Sequence, residues 1–393
     1  MQPGGDPQKK RTGGYFCRIL LIFPAMRETG NPHIAIVHDW LVTMRGGERV
    51  LEALCELYPE ATLFTLVHRK GALSPAIERM EIRTSMLQHL PFGKSHYQYF
   101  LPLFPALVGR FDLRRYDLVL SSSHAAAKGV RVRSDAVHLC YCHTPMRYIW
   151  DQYDQYFGPG RAAWYVRFAM SIVRKPLQRW DVESSKRVDG FVANSHYVQE
   201  RIRRLYGRES DVIYPPVASG RFKAVSDHEG YFLVVSALVP YKRIDLAVDA
   251  CTRTGDRLIV VGDGAEESRL KARAGGNVTF IRSAPDDEVR SYYEGCRALL
   301  FPGEEDFGIV PVEAMASGKP VIAFGRGGVT ETVQEGVTGT FFGEQSVESL
   351  ADAVERFRAM TFDAERIRKH ALSFDGGVFK ERIARAVRET RRG

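Results

Sequence analysis

The segment 301–318 carries carboxylates at a spacing that could do chemistry. Glu305 and Glu313 are separated by seven residues. An ionised carboxylate only accepts hydrogen bonds, and the neighbouring hydroxyls of a ribose or a hexose are natural donors to it. The pair therefore indicates a site for sugar rings, although each carboxylate alone would also fit a solvated loop residue or a side chain that complements a helix dipole.

The same segment predicts an anion site at a helix N-terminus. Pro311 suits a first helical turn and Gly318 suits a helix end, so the sequence predicts a helix over residues 309–317. The free backbone N–H groups of residues 308–310 would then point outward. A helix N-terminus favours an anion by roughly 0.3–1 kcal/mol, and by up to ~2 kcal/mol when it is partly buried. A pyrophosphate is the anion expected there.

Two cations, Lys242 and Arg243, follow the predicted strand 231–237 and precede a helical pattern. Loops that follow parallel strands share one crevice at the carboxyl end of the sheet. Two cations in that crevice can neutralise a diphosphate without a metal ion. The alternative is an ordinary solvated charge pair.

Alternating strands and helices must position these residues. Short apolar, β-branched runs alternate with amphipathic helical patterns, which predicts parallel sheets built from βαβ units. Six strands are predicted in the first half, at residues 34–39, 62–67, 117–122, 136–142, 190–194 and 211–214. Six more are predicted in the second half, at residues 231–237, 257–261, 277–281, 298–301, 320–324 and 339–342. The sequence thus predicts an α/β protein with two Rossmann-like, doubly wound domains that face an inter-domain cleft.

The predicted boundary lies in the connector 214–220, where two prolines and a Ser-Gly pair resist both helix and central strand. The predicted units are a flexible extension, a first domain, a second domain and a final helix that packs back on the first domain, at residues 1–30, 31–220, 221–375 and 376–393. A secretory signal is the alternative for the extension.

Composition and net charge limit the classes of binding partner to be expected. The 393 residues carry a net charge of +8, and the charge is uneven, with +10 on residues 1–220 and −2 on residues 221–393. Such asymmetry predicts an acidic partner for the first domain, such as anionic lipid or a phosphorylated acceptor. No RNP box or zinc-finger pattern is present, so no nucleic-acid partner is expected. The six cysteines include no CxxC pair, which fits a reducing cytoplasm.

No apolar run reaches the roughly 18 to 20 residues that a transmembrane helix needs. The segment 96–104, followed by Arg110, Arg114 and Arg115, mixes aromatic and cationic residues. This mixture predicts a membrane-contact patch, and the alternative is a buried helix pair with a basic rim.

These motifs together resemble a known family. The pattern of Glu305 and Glu313 with its flanks, the loop 239–243 and the turn 262–264 are similar to retaining glycosyltransferases of the GT4 family, which have the GT-B fold. The similarity covers nearly the whole chain from about residue 33. Further motifs resemble the mannosyltransferase subgroup that builds O-antigen and other surface polysaccharides from GDP-mannose, at residues 38–41, 46–48, 142–148 and 235–241.

The resemblance implies a catalytic role for two residues, with Glu305 holding the transferred sugar and His143 facing it. Glu313 would bind the donor ribose and Lys242 the diphosphate. The donor would also meet two glycines, one further cation and the backbone of four consecutive residues, which are Gly46, Gly47, Arg243, Phe307, Gly308, Ile309 and Val310. One position departs from the family, because Ala237 stands where an arginine is common. Either Arg243 replaces that cation, or the phosphate site is weaker than is usual in the family.

The expected activity is transfer of a hexose, mannose from GDP-mannose, onto a lipid-linked glycan acceptor with retention of configuration. No metal ion or other cofactor is expected, because the donor is a nucleotide sugar and fixed cations meet its phosphates. Two alternatives remain: another donor such as UDP-glucose, or a catalytically silent sugar-nucleotide-binding subunit. The expected location is cytoplasmic, peripheral on the inner face of the membrane.

Overall fold

The computed structural model describes residues 32–282 and 284–390, which form two parallel sheets. The extension predicted over residues 1–30 lies outside the described residues, as do residues 391–393 of the predicted final helix. The alternation of strands and helices confirms the predicted α/β class with two Rossmann-like domains.

The first sheet has seven parallel strands in the order β3-β2-β1-β4-β5-β6-β7. Strands β1 to β7 are Ile34–His38, Thr62–Thr65, Glu81–Thr84, Leu118–Ser123, Val137–Cys142, Gly190–Ala193 and Asp211–Val212. Helices α1 to α6 are Gly46–Leu57, Pro75–Glu78, Phe104–Val108, Tyr153–Phe157, Trp164–Ser185 and His196–Tyr206. The central strands are buried, as parallel strands are when helices cover both faces.

The second sheet has six parallel strands in the order β10-β9-β8-β11-β12-β13. Strands β8 to β13 are Phe232–Val235, Leu258–Val261, Val278–Ile281, Ala298–Phe301, Val321–Phe324 and Gly339–Phe342. Helices α7 to α14 are Ile244–Thr254, Glu267–Arg273, Asp286–Gly295, Ile309–Ala316, Val329–Thr332, Val347–Arg358, Ala364–Ala371 and Gly376–Glu389. In both sheets the strand order reverses beside the first strand, which opens a crevice at the carboxyl ends.

Strand β3 corrects the predicted strand count of the first sheet. No strand is predicted at Glu81–Thr84, yet these residues pair in parallel with β2. Ile82 is the only apolar residue in the strand, and the strand lies at the sheet edge with half of its residues exposed. An edge strand of this kind has little hydrophobic periodicity to reveal it.

The chain crosses between the domains twice. Residues 213–222 lead from β7 into the second domain, and α14 returns to the first. Phe379 and Ile383 of α14 pack in the same core as Ile36 and Leu54. The last described helix therefore completes the core of the first domain.

Candidate active site

Lys242 and Glu305 form an ion pair on the wall of the second domain. Lys242 ends a short 3₁₀ turn after β8, and Glu305 follows β11, the neighbouring strand. Both side chains are mostly buried, with 17% and 22% of their surface exposed. Gly303 permits this approach, because a Cβ atom there would lie 3.0 Å from the Lys242 carbonyl oxygen. Parallel topology thus brings together two groups that are 63 residues apart in the sequence.

The N-terminus of α10 lies directly after Glu305. The helix spans Ile309–Ala316, within one residue of its predicted end, and Gly308 before it has a left-handed φ of 90°. That conformation suits glycine and leaves the first N–H groups of the helix unpaired within it. Phe307 contributes only backbone here, since its side chain is 3% exposed and packs in the domain core.

Glu313 lies one turn into α10 and accepts a hydrogen bond from the Tyr293 hydroxyl at 2.8 Å. Burial raises the pKa of Glu313, although the hydrogen bond from Tyr293 and the charges of Arg49 and Arg221 oppose that rise. Arg49 belongs to α1 of the first domain. Glu313 therefore faces the gap between the domains.

The N-terminus of α1 forms the opposite wall. Gly46 and Gly47 are its first two residues. A Cβ atom on Gly46 would lie 3.1 Å from Cδ1 of Ile309, and one on Gly47 would lie 3.8 Å from the His143 ring. The starts of α1 and α10 thus approach each other across the gap, and only small residues on α1 permit that distance.

A buried histidine cluster backs this wall, and sequence reasoning missed most of it. His143 follows β5, and its Nε2 lies 2.8 Å from Ser122 Oγ. His38 ends β1, with Nδ1 3.0 Å from the same oxygen and Nε2 3.7 Å from Glu48. Burial lowers the pKa of His143 well below its ordinary value, helped by His124, His38 and Arg147. The ring is therefore neutral near neutral pH.

Asp39 fixes the loop after β4. Its two carboxylate oxygens accept the backbone N–H groups of residues 124–127 at 2.6–2.9 Å. Burial acts to raise the pKa of Asp39, but the His124 charge and these hydrogen bonds bring it below the ordinary value. The aspartate is ionised and holds His124 beside His38, with ring centroids 5.7 Å apart. Within the described ranges, no group of three His, Cys, Asp or Glu side chains is arranged to hold a metal ion.

Asp306 joins the two domains. One carboxylate oxygen lies 2.5 Å from Arg147 Nη2 and the other 2.8 Å from Arg201 Nη1. Arg147 follows β5 and Arg201 lies on α6, so both guanidinium groups come from the first domain. Glu331 of the second domain accepts the N–H groups of His196 and Tyr197 at the start of α6. These contacts hold the domains together beside the gap.

A polar cavity of about 260 Å³ adjoins Glu305. Its lining comes from both domains and includes Asp151, Gln152, Gln155, Tyr197, Arg201, Tyr241, Arg243, Glu304, Asp306 and Gln345. Arg243 has a left-handed φ of 52°, and its guanidinium group lies 3.2 Å from Asp245. A strained backbone at a non-glycine residue is common at functional sites.

The predicted site residues thus fall in one region. Eight lie on the second-domain wall at the starts of α7 and α10 or within α10, and Gly46, Gly47 and His143 lie on the first-domain wall. The residues that sequence reasoning did not assign to the site are His38, Asp39, Glu48, Ser122, His124, Arg147, Tyr293 and Asp306. Three of these, His38, Asp39 and Ser122, lie at the carboxyl ends of predicted strands, and that position was the available signal.

Comparison with known proteins identifies the family. The family model for glycosyltransferase family 4 matches residues 44–221, and the model for glycosyl transferases group 1 matches residues 220–373. Together the two matches span both walls of the gap. This chain is a GT4 glycosyltransferase.

Relatives with known names agree on the class but differ in the sugar. Human alpha-1,3/1,6-mannosyltransferase ALG2 is 27% identical over 48% of this chain and 55% of its own length. The O-antigen chain mannosyltransferase RfbU of Salmonella typhimurium is 28% identical over 48% of this chain and 59% of its own. The glycogen synthase of Pseudomonas aeruginosa is 37% identical over 32% of this chain and 26% of its own. The matches thus span between 26% and 59% of the length of these curated relatives.

A solved structure shows the same fold over nearly the whole glycosyltransferase. Anabaena Alr3699/HepE, solved in complex with UDP-glucose, superposes with a TM-score of 0.64 at 18% identity, covering 90% of this chain and 99% of that one. The predicted GT-B fold is therefore confirmed.

Proposed function

We propose that this glycosyltransferase transfers mannose from GDP-mannose to a lipid-linked oligosaccharide, with retention of the anomeric configuration. One observation supports transfer of a sugar from a sugar diphosphate as the reaction type. Lys242, Glu305 and the N-terminus of α10 adjoin one another at the carboxyl ends of β8 and β11, and Gly46 and His143 face them. This wall offers a cation and free N–H groups to a diphosphate, and a carboxylate to a sugar.

The chemistry follows from the charges. When the bond between the sugar and the diphosphate breaks, negative charge develops on the leaving phosphate oxygen. Lys242 and the α10 N–H groups stabilise that charge without rearranging. The acceptor hydroxyl attacks from the side of the departing phosphate, whose oxygen takes the hydroxyl proton. Glu305 holds the sugar, and neither a protein nucleophile nor a metal ion is required.

The relatives named as mannosyltransferases support mannose as the transferred sugar. The glycogen synthase relative supports the alternative of a glucosyl donor such as UDP-glucose. A thermal-shift comparison of GDP, UDP and ADP separates these donors, because a nucleotide at about 100 times its Kd stabilises the folded enzyme by about 2.7 kcal/mol. We expect GDP to raise the melting temperature most. A larger shift with UDP would replace GDP-mannose by a uridine donor.

Turnover distinguishes an enzyme from a silent sugar-nucleotide-binding subunit. Glu305→Ala is expected to abolish transfer of radiolabelled mannose from GDP-mannose while GDP binding stays largely intact. Lys271→Ala, which removes a surface cation paired with Glu267, is the matched control and should keep full activity. Unchanged turnover in Glu305→Ala would contradict the role of this carboxylate.

The first domain has a surface suited to a lipid-borne acceptor. Among the described residues, nine of the ten exposed large apolar side chains lie in two segments, residues 86–103 and 164–172. Both segments pack on one core, through Leu101 and Met170 among others. Exposed apolar residues are normally scattered, so their concentration in two segments that pack on one core indicates an interaction surface.

The aromatic start of α5 dominates this surface. Trp164 is 76% exposed and Phe168 is 64% exposed, and Lys175 and Arg179 lie further along the exposed face. No Asp or Glu occurs within residues 155–180 or 82–111. No helix in the described part of the chain is long and apolar enough to span a bilayer. An apolar face bordered by unopposed cations complements an anionic membrane surface, and we place the lipid-linked acceptor there.

Only some residues of the segment 96–104 contribute to this surface. Tyr97, Leu101 and Phe104 are buried, as the alternative interpretation expects, whereas Tyr99 and Leu103 are 70% and 49% exposed. Arg114 is paired with Asp112. The cationic contribution expected from 96–104 and its arginines is therefore smaller than the sequence suggests.

Flotation with vesicles tests the surface. The wild-type protein should bind phosphatidylcholine vesicles that contain phosphatidylglycerol, and bind pure phosphatidylcholine weakly. A Trp164→Ser/Phe168→Ser variant should lose binding, while Leu372→Ser, which removes the exposed apolar residue of the second domain, should not. Equal binding to both vesicle types would exclude the electrostatic part, and self-association without vesicles would indicate a second copy as the partner. A cytoplasmic, peripheral location belongs to the same proposal.

A further inference from the structure

Four buried polar side chains form a continuous chain beneath the gap. Glu48, His38, Ser122 and His143 are each at most 9% exposed. Successive polar atoms are 3.7, 3.0 and 2.8 Å apart. The chain ends at the His143 ring, beside the first turn of α1.

The carboxylate at one end determines where the first hydrogen lies. Glu48 accepts the Arg45 N–H through Oε2 and presents Oε1 to His38 Nε2. At 3.7 Å this carboxylate is too far from His38 Nε2 for a hydrogen bond, and Nε2 has no other partner among the described residues, but the negative charge of Glu48 favours a hydrogen rather than a lone pair on the nitrogen that faces it. A neutral His38 ring therefore carries its hydrogen on Nε2. His38 Nδ1 then has a lone pair and accepts the hydrogen of the Ser122 hydroxyl.

The tautomer of His38 determines the direction of the hydrogen bond between Ser122 and His143. Ser122 has a single hydrogen, and once it is donated to His38 the oxygen must accept from His143. His143 therefore carries its hydrogen on Nε2. Its Nδ1 keeps a lone pair and has no hydrogen-bond partner among the described residues, which leaves it for a ligand.

We propose that Glu48, His38 and Ser122 are positioning residues that hold His143 in its Nε2–H tautomer, so that Nδ1 accepts a hydrogen bond from a hydroxyl of a reacting sugar. The proposal rests on the proposed function, because a sugar must occupy the gap beside His143. The order of donors along the chain follows from the negative charge of Glu48 at one end.

Nitrogen NMR on the full chain tests the tautomer without any turnover. Long-range proton–nitrogen correlation spectra of protein labelled with ¹⁵N-histidine separate the two neutral tautomers, and His143→Gln identifies the His143 signals. We expect the Nε2–H pattern in the wild-type protein. Glu48→Gln keeps the helix-capping acceptor but offers an N–H to His38, so it should shift His143 toward the Nδ1–H tautomer. A wild-type Nδ1–H pattern, or no response to Glu48→Gln, would overturn the proposal.

Kinetics test whether the tautomer matters. Ser122→Ala should lower kcat by roughly 10- to 100-fold with little change in the donor KM, as misplacement of a reacting group does. Ser121→Ala is the matched control, because Ser121 is equally buried on the same strand and contacts His138 at 2.8 Å instead. Equal losses of kcat in both variants would indicate a structural role only. If the wild-type protein transferred no sugar, the proposed function would fail while the NMR result still stood.

Discussion

The Lys242 ammonium group contacts the Glu305 carboxylate in the free enzyme, although each is assigned to a different part of the donor. Each group therefore neutralises the other until a nucleotide sugar enters. Under the proposed function, binding of the diphosphate to Lys242 weakens this pair and frees Glu305 for the sugar. The pair would then couple recognition of the phosphate to recognition of the sugar.

Two substitutions should change GDP affinity in different directions. Lys242→Met removes a charge-assisted hydrogen bond and should raise the Kd for GDP roughly 10- to 100-fold. Glu305→Gln removes the competing carboxylate and should leave the Kd unchanged or lower it. Isothermal titration with GDP measures both. A comparable loss of affinity in both variants would show that the pair serves the fold rather than the donor.

The half-buried Glu313 predicts a pH limit for nucleotide binding. Its carboxylate accepts ribose hydroxyls only when ionised, so GDP affinity should fall as the pH drops through the raised pKa of Glu313. The Tyr293 hydroxyl lowers that pKa, so Tyr293→Phe should raise it and move the loss of affinity to higher pH. Titrations with GDP across the mildly acidic range measure the shift. Tyr292→Phe, which alters an exposed hydroxyl bonded to Glu288, should leave the profile in place.

Substitution of Asp306 should lower the free energy of unfolding substantially. Asp306→Asn leaves Arg147 and Arg201 without the carboxylate that compensates them, and loss of one partner of a buried ion pair costs about 3–5 kcal/mol. Arg201 keeps Asp151 as a partner and Arg147 is partly exposed, so the lower end of that range is expected. Urea unfolding measures the change in free energy. The exposed Asp112→Asn is the control, and equal stability of both variants would remove Asp306 from the domain contact.

Most of the fold follows from local sequence. In the part of the chain that the structure describes, twelve of the thirteen strands lie within two residues of their predicted ends, because buried parallel strands are apolar runs with sharp limits. Helix α10 follows from Pro311 and Gly318 in the same way. Strand β3 was not predicted, because it forms by pairing with β2. Its four residues include a single apolar side chain, so the local sequence does not indicate that pairing.

The site was only partly predictable for a similar reason. Glu305, Glu313 and Lys242 belong to local motifs and could be recognised one by one. The hydrogen bonds of Ser122 to His38 and His143 span 84 and 21 residues, and the contact of Asp306 with Arg147 spans 159. Such partners are set by the order of strands in the sheet. The rule that strand ends converge could have nominated His38, but not its partners.

The approach of Gly46 to Ile309 predicts a compensating pair of substitutions. Apolar carbon atoms prefer separations of about 3.5–4.0 Å, and a Cβ atom on Gly46 would lie 3.1 Å from Ile309 Cδ1. Gly46→Val should therefore hold the two walls apart and lower kcat/KM. Ile309→Ala removes the opposing atom, so the double variant should recover part of the loss.

Folding stability separates this effect from simple damage to α1. Gly46 lies in a helical position, where valine is no worse than glycine, so the melting temperature of Gly46→Val should not fall. Gly276→Val, at a glycine with open space around its Cβ direction, is the control and should keep wild-type activity. The double-mutant cycle should give a coupling free energy of about 0.5–3 kcal/mol between Gly46 and Ile309. Additive losses would mean that the two walls do not close on each other during the reaction, because residues that never meet cannot relieve each other's clash.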